Sequence, residues 1–496
     1  MKKNNINSKN KYSRGRDESY EIPQRIHTDI DNIIENALKI SQPDKTESKK
    51  LKNIEKMVID EIKKNLVPEV IEIRSGGSLA KGTNLKNDTD IDIFLLIDKK
   101  VNENRFEGIA MDIGFKSLAR YNPRTRFSEH PYVEGFVKGH KKEDIVKINV
   151  VPCYAVEKGE WKSAADRSQY HTDYMINNLS MDQKDQVRIL KRFLKTLGIY
   201  GAELFTSGFS GYVSEVLVLK YNTFKNVLIN ISNLEKIESV ISIHENDIKE
   251  EIQFHTPVVI IDPIDNKRNL GAAISSESLS TFIMGSRAFL KRPSLEFFNS
   301  FNKNISRKSY KKKVISSETI SNLLIIKFSF SNRSPDVISG QLKKFAKSIE
   351  KQSNNLNFNI IKSKCYLKEE DNIAIIMCLV GAKNLSPYMI NVGPDVFMRN
   401  EVINFLFKNK NNSLFTWTNN EMRVCSLKLR KNTKILDFLN DAIKNNKDIG
   451  IPKGLRDDIK NGFKLFFLNS RKLQNMPIYN ELVYDFIFKN AMIFEE

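Results

Sequence analysis

Cysteine is scarce in this chain. Cys153, Cys365, Cys378 and Cys425 are the four present in 496 residues, and they lie far apart with no clustered histidine. That spacing argues against a disulfide framework and against a zinc site, and it fits a reducing cytoplasm. No segment is long and apolar enough to span a bilayer, so no membrane partner is expected. The start, MKKNNINSKNKYSRGRDE, is basic with no apolar stretch behind it, which does not make a secretory signal. Residues 1–21 are expected to form a flexible basic arm. No short-period internal repeat is visible either.

Apolar material is plentiful by contrast. Hydrophobic residues make up 40% and charged residues 28%, enough for real cores, and the length calls for three or four domains. The formal net charge of +19 favours a polyanionic partner, because Lys and Arg that neutralise phosphates release counterions. Charge alone does not choose the polyanion.

Periodicity divides the chain. Ile26, Ile30, Ile33, Ile34, Ala37 and Leu38 mark an amphipathic helix over 22–39, and Leu51, Ile54, Met57, Val58, Ile62 and Leu66 mark a second over 49–66. Strands are expected at 71–74, 90–97, 132–137 and 144–151, the last ended by Pro152, with a helix at 111–121; together they make an α/β unit, residues 22–155. Helices at 182–197 and from Ser210 onward make a mainly helical unit, 156–255. A buried strand at 256–263, a polar turn at 265–269 and a helix at 275–290 open the next, 256–335. Strands at 321–330, 358–361, 373–380, 414–418 and 423–429 with a helix at 335–350 give an α+β region, assigned to 336–430. Helices at 433–444, 456–467 and 479–491 fill 431–496.

The stretch SGGSLAKGTNLKNDTDIDIFLLI, Ser75 to Ile97, carries the chemistry. Residues two apart on a strand face the same way, so Asp90 and Asp92 present paired carboxylates while Ile91 and Ile93 face a core. Paired carboxylates repel unless a cation joins them, and Mg2+ takes such ligands together with substrate phosphates. The Gly76-Gly77-Ser78 turn offers backbone N–H groups and a hydroxyl to a phosphate. These features suggest metal-dependent nucleotidyl transfer. Extending a nucleic acid this way is best served by two ions about 4 Å apart and a third carboxylate on a neighbouring strand. Over Ile145 to Val151 the period of two puts Ile145, Lys147, Asn149 and Val151 on the catalytic face and Asp144 on the other. The residue best placed as third ligand is therefore Asn149, an amide.

The motifs continue in order: Gly77-Ser78, Lys81-Gly82-Thr83, Asp90-Ile91-Asp92, Glu129-His130-Pro131-Tyr132, Val150 to Tyr154, Gly198 to Glu203, Gly208 to Tyr212, Asp262-Pro263, Lys267-Arg268-Asn269, Gly340 to Lys343 and Gly393-Pro394. In these the chain resembles the archaeal-type, or class I, CCA-adding tRNA nucleotidyltransferases over roughly residues 30–490. The resemblance implies a polymerase-beta-type nucleotidyltransferase palm as head, followed by a helical neck and an α+β body and tail. It implies Mg2+ as cofactor, CTP and ATP as substrates and tRNA as partner; association of two copies is left open.

Site residues follow from the same resemblance. It places Ser78 and Lys81 at the triphosphate, Arg167, Ser168 and His171 near the nucleotide, Lys191 and Tyr200 at phosphates and sugar, and Arg268 with Asp265 at the base. It also places the third metal carboxylate, beside Asp90 and Asp92, at Asn149. Three explanations stay open: an Asp-to-Asn change that traps substrate, a natural homologue with altered chemistry, or an active enzyme that uses another ligand. In the basic carboxyl half, Lys343, Lys344, Lys347, Arg399, Lys408, Lys428, Arg430, Lys431, Lys453 and Arg456 are candidates to contact phosphate. A poly(A) polymerase, an oligonucleotide synthase and an inactive tRNA-binding homologue are the alternative functions.

Overall fold

The computed structural model describes residues 24–138, 145–244, 255–299, 316–331, 333–369, 371–445, 449–469 and 477–494. The amino-terminal arm and Asp144 lie outside the described residues.

Five strands, β1 (Val70–Gly76), β2 (Asp90–Asp98), β3 (Arg124–Phe127), β4 (Pro131–Lys138) and β5 (Ile145–Ala155), form one sheet in the order β1-β2-β5-β4-β3. β2 pairs antiparallel with β1 and parallel with β5, which pairs antiparallel with β4. Ile91, Ile93, Leu95 and Ile97 of β2 and Ile148 and Val150 of β5 face a core closed by helices α2 (Lys45–Lys64) and α4 (Glu103–Ser117). Each such side chain contributes about 1.5–3 kcal/mol by leaving water. Asp90 and Asp92 are thereby turned to the other face, where Phe94, Leu96 and Cys153 form a smaller apolar cluster. β5 does not stop at Pro152 as expected. It runs on to Ala155 against β2, and its ladder with β4 ends at Val150, so the proline lies where one edge of β5 is free.

A helical core follows. α5 (Arg167–Asn178), α6 (Met181–Leu197), α7 (Gly211–Tyr221), α8 (Phe224–Ser232) and α9 (Ser276–Lys291) surround Phe193, Phe224, Phe282, Phe289 and Phe298. Ile30 and Ala37 of α1 (Gln24–Ser41) belong to this cluster rather than to the sheet's core. Three short strands, β6 (Ser239–Ile241), β7 (Val258–Asp262) and β8 (Asp265–Asn269), join its edge in that order. The polar turn expected at 265–269 is thus a strand, held against β7 by Asn269, whose Oδ1 accepts from Ile260 N at 2.9 Å and Gly271 N at 2.7 Å.

In the carboxyl half, β9 (Leu323–Ser329), β10 (Ile360–Lys368) and β11 (Ile373–Val380) join β15 (Phe463–Phe467) in the order β10-β11-β9-β15. Leu324, Ile326 and Phe328 face the helices Pro335–Asn355 and Ile435–Asn445; Leu323 and Ile325 face Tyr479, Val483 and Phe486. The helix expected over 456–467 is instead a short helix, Arg456–Lys460, followed by β15. Gly462, at φ +130, breaks it, and the alternation Phe463, Leu465, Phe467 suits a strand. A separate sheet holds β12 (Tyr388–Asp395), β14 (Arg423–Leu429) and β13 (Phe415–Thr418) in that order; the sequence pattern predicts β13 and β14 but neither β12 nor the helix Arg399–Asn409 behind it. No helix among the described residues is long and apolar enough to cross a membrane.

Candidate active site

Glycine permits the approach on which the site depends. Gly77 has φ +65, and a Cβ there would fall 1.9 Å from Asp92 Oδ2, so the backbone leaving β1 lies directly on that carboxylate. The short helix α3 (Gly77–Lys81) then carries Ser78 and Lys81 past the strand ends.

Across the sheet, Asp90 lies opposite Lys147 and Asp92 opposite Asn149. Asn149 Nδ2 donates to Asp92 Oδ1 at 2.8 Å, while its own Oδ1 is buried with no hydrogen-bond partner. Enclosure by protein raises the Asp92 carboxyl, opposed by that hydrogen bond and by Lys81. Asp90 is exposed as a residue, yet its carboxyl is partly screened from water, which pushes it up to about 6; Lys147 opposes this and Asp92 adds to it. Tyr132, on β4, has its phenol pushed up to about 12 by burial and by Glu134, with Arg126 opposing and Asp92 and Asp90 adding.

Lys81 and Lys191 meet on one carboxylate. Lys81 Nζ lies 2.5 Å from Glu215 Oε2 and Lys191 Nζ 3.1 Å from Oε1, which also accepts from Thr83 Oγ1 at 2.6 Å. All four side chains are buried. Burial alone would raise Glu215, but the charges of Lys81 and Lys191, with hydrogen bonds from Lys81 and Thr83, hold it at about 2. Burial lowers Lys191 to about 8 against the pull of Glu215. Tyr200 closes the group: a Cβ on Gly211 would meet its hydroxyl at 2.9 Å and Lys191 Nζ at 3.5 Å. Sequence reasoning missed Glu215, although a carboxylate among the buried Val213, Val216, Leu217 and Val218 of α7 was a visible signal.

A second buried carboxylate organises the remaining residues. Asp262 takes His171 Nε2 at 2.9 Å, Arg268 Nη1 at 3.2 Å and Tyr212 O–H at 3.3 Å. Burial lowers His171, against the raising effect of Asp262. The Tyr212 ring lies 3.8 Å from that of His171 and 5.6 Å from Lys81 Nζ, joining the two groups. Arg167 Nε donates to Asp265 Oδ2 at 3.1 Å and its guanidinium sits over Trp161. Ser168 lies in the first turn of α5, its carbonyl accepting from Thr172 Oγ1. Arg167, Trp161, Asp265 and Arg268 line a cavity of about 940 Å³.

Comparison with known proteins gives the family of the chain. Residues 55–171 match the nucleotidyltransferase domain, 185–299 the second domain of tRNA nucleotidyltransferase, and 320–467 the C-terminal domain of CCA-adding enzyme. The CCA-adding enzyme of Methanocaldococcus jannaschii is 34% identical over 460 residues, 89% of this chain and 96% of that protein. Those of Sulfurisphaera tokodaii and Methanococcus maripaludis are 34% and 33% identical over 81% and 84% of the chain, covering 89% and 93% of their own lengths. This chain belongs to the archaeal-type CCA-adding enzyme family.

A CCA-adding enzyme is a nucleotidyltransferase, and enzymes of that fold typically use divalent metals. The residues present fit a hard cation: the Asp90 and Asp92 carboxylates and the unpartnered Asn149 Oδ1 are all oxygen donors. Glu103, Glu107 and His130 also group closely enough to hold a metal, but they lie apart from this triad on α4 and the segment before β4. Of the residues expected to contact phosphate, Lys344, Lys347, Arg399, Lys408, Lys431, Lys453 and Arg456 are exposed and Lys428 is half-buried. Lys343 and Arg430 are already engaged: Lys343 Nζ donates to Leu204 O at 2.6 Å, and Arg430 Nη1 to Leu356 O at 3.0 Å. Sequence reasoning overlooked a mainly basic groove of about 1260 Å³ where Arg120, Arg124, Arg126 and Lys147 face Lys368, Glu369 and Asp371.

Proposed function

We propose that this CCA-adding enzyme extends the 3′ end of tRNA with C, C and A from CTP and ATP, without a template, at a Mg2+ centre on Asp90, Asp92 and Asn149. The observation that carries the reading is the in-register pair Asp92 and Asn149, with the amide oxygen buried and unpartnered beside a carboxylate. Mg2+ bound there would offset triphosphate charge and make the 3′-hydroxyl easier to deprotonate. Ser78, Lys81 and Lys191 bind the triphosphate, the lysines exchanging Glu215 for phosphate oxygens, and Tyr200 borders the sugar. Arg268 and Asp265 read the base, with Arg167, Ser168 and His171 around the nucleotide. Asn149 supplies an oxygen but no charge, so transfer by this chain is slow.

In this reading the head, 22–155, does the chemistry. The neck (156–255), body (256–335 and 431–496) and tail (336–430) hold the RNA. The basic groove between the head sheet and the β10–β11 hairpin supports an RNA path reaching Lys147, beside Asp90; Lys344, Lys347, Arg399 and Lys428 extend it by contacting phosphate. A second copy of the chain is the proposed occupant of the open face of the β12-β14-β13 sheet. Tyr388, Ile390, Val392, Phe415, Trp417 and Leu429 alternate onto it, with Arg423 at the end of the same row, and Ile390, Phe415 and Leu429 are 57%, 58% and 61% exposed. Such a face suits neither water nor a phosphate backbone. Sedimentation of the free protein should give twice the mass of one chain, and a monomer at micromolar concentration would exclude this partner.

Arg268→Ala, in an Asn149→Asp background, tests the base assignment. A bidentate arginine–base pair is worth about 1–3 kcal/mol of discrimination, so preference for CTP and ATP over UTP and GTP should fall roughly 5- to 150-fold. tRNA affinity should hold. Unchanged selectivity with weakened tRNA binding would overturn the assignment. For the function as a whole, tRNA ending at the discriminator base is incubated with labelled CTP and ATP. Addition of three nucleotides supports the reading, a long homopolymer indicates a poly(A)-type polymerase, and RNA binding without incorporation even after Asn149→Asp indicates a silent tRNA-binding protein.

A further inference from the structure

Three side chains of β4 stand on the face of the sheet that carries Asp90 and Asp92. Glu134 lies opposite Asn149 and Phe136 opposite Lys147; Tyr132, two residues before Glu134, points the same way, while Val133 between them is buried in the core of the other face. Two of the three are already occupied by arginine. Glu134 Oε2 takes Arg124 Nη2 at 2.7 Å and Arg126 Nε at 2.9 Å, and the Arg124 guanidinium lies 4.3 Å over the Phe136 ring. Tyr132 is half-buried, and among the described residues no hydrogen bond or ring contact engages its phenol. The charges of Glu134, Asp92 and Asp90 all reach that phenol, which sets it beside the two aspartates. A half-buried hydroxyl without a partner in the protein is a group left free for substrate.

The order of the sheet says which substrate. In the proposed function Ser78 and Lys81 bind the triphosphate, and they stand on α3, which leaves the sheet from β1. The leaving pyrophosphate then lies on the β1 side of Asp90 and Asp92. In an in-line displacement the attacking oxygen stands across the α-phosphorus from the leaving group, here the side of β5 and β4. The groove that leads RNA to Lys147 opens on that same side, past Arg124 and Arg126 of β3 and Phe136 of β4. Building on the proposed function, we propose that Tyr132 positions the RNA terminus: its hydroxyl bonds the 2′-hydroxyl of the terminal ribose, which fixes the adjacent 3′-oxygen and selects RNA ends over DNA ends. The sugar is the partner because one centre must present three successive termini, the discriminator base, C and C. A 2′-hydroxyl is common to all three, and as donor and acceptor it suits a phenol.

The test crosses the residue with the sugar. In the Asn149→Asp background, single-turnover addition of the first C is measured at saturating CTP, with and without Tyr132→Phe. The substrates are tRNA ending at the discriminator base and the same tRNA with a 2′-deoxy terminal nucleotide. On the ribose end Tyr132→Phe should slow addition about 2- to 12-fold, the range for one lost hydrogen bond. On the deoxy end, where that bond is already missing, it should change almost nothing. A tyrosine that only supports the sheet would cost both ends alike, so equal losses, or no loss on either, would overturn the proposal. The melting temperature should stay where it is, because the hydroxyl gives up no bond to the protein; a fall of several degrees would reveal an internal partner and overturn it too. If the Asn149→Asp chain adds C while Tyr132→Phe matches it on both ends, this inference alone fails; if that chain adds nothing to either end, the proposed function fails and this inference with it.

Discussion

Replacing Asn149 by aspartate should raise the single-turnover rate of nucleotide incorporation on the order of 100- to 10,000-fold, the usual range for an acid–base or metal-positioning group. The two residues differ by one isosteric group, so substrate affinity should change far less than rate. Stability should move the other way. Asn149 now donates to Asp92 at 2.8 Å, and an aspartate would replace that hydrogen bond with a like charge against a carboxyl already raised by burial. The metal-free Asn149→Asp protein should therefore melt at a lower temperature and recover on adding Mg2+, because a ligand that binds only the folded state stabilises it. Calorimetry with and without Mg2+ checks this. An unchanged rate at saturating Mg2+ would mean that the third ligand does not lie on β5.

The largest stability loss is expected at Glu215. Removing one partner from a buried ion pair typically costs 3–5 kcal/mol because the remaining charge is left without compensation, and Glu215→Ala strands two lysines. For a unit of this size that corresponds to a melting temperature lower by roughly 6–20 °C. The pH dependence has a definite sign. Glu215 is held at about 2, below its ordinary 4.5, so its contribution is fully present above about pH 4.5 and drains away as pH falls toward 2. Below pH 5 the stability gap between the unmodified chain and Glu215→Gln should close by on the order of 3 kcal/mol toward the acid end. Urea titrations at pH 5 and 3 measure it, and a gap that widened between them would refute the ion-pair account.

Local pattern made half of the site legible. The alternation of Asp90-Ile91-Asp92-Ile93 and of Ile145 to Val151 is enough to place Asp90, Asp92 and Asn149 on one sheet face, because a period of two needs no knowledge of neighbouring elements. Glu215 was not legible in the same way. Its partners Lys81 and Lys191 stand 134 and 24 residues away, so its role depends on which helix lies alongside. Lys81 and Lys191 were singled out, but nothing local to them says that they share a carboxylate. Phe463 to Phe467 shows the limit for short apolar runs. It continues a helical pattern until Gly462 is recognised as a stop, and its place beside β9 is fixed by a strand more than 130 residues earlier.

Nucleotide choice at each step is the most direct test of the central claim, that this family member builds C, C and A from one centre on Asp90, Asp92 and position 149. Transfer RNA ending at the discriminator base is incubated with the chain, and separately with its Asn149→Asp version, and the 3′ ends are sequenced. With CTP alone the product should stop after two nucleotides, with CTP and ATP after three, and with ATP alone nothing should be added; the Asn149 chain should give the same products far more slowly. Addition that runs on past three nucleotides, or no addition by the Asn149→Asp version although tRNA and CTP both bind, would contradict the account.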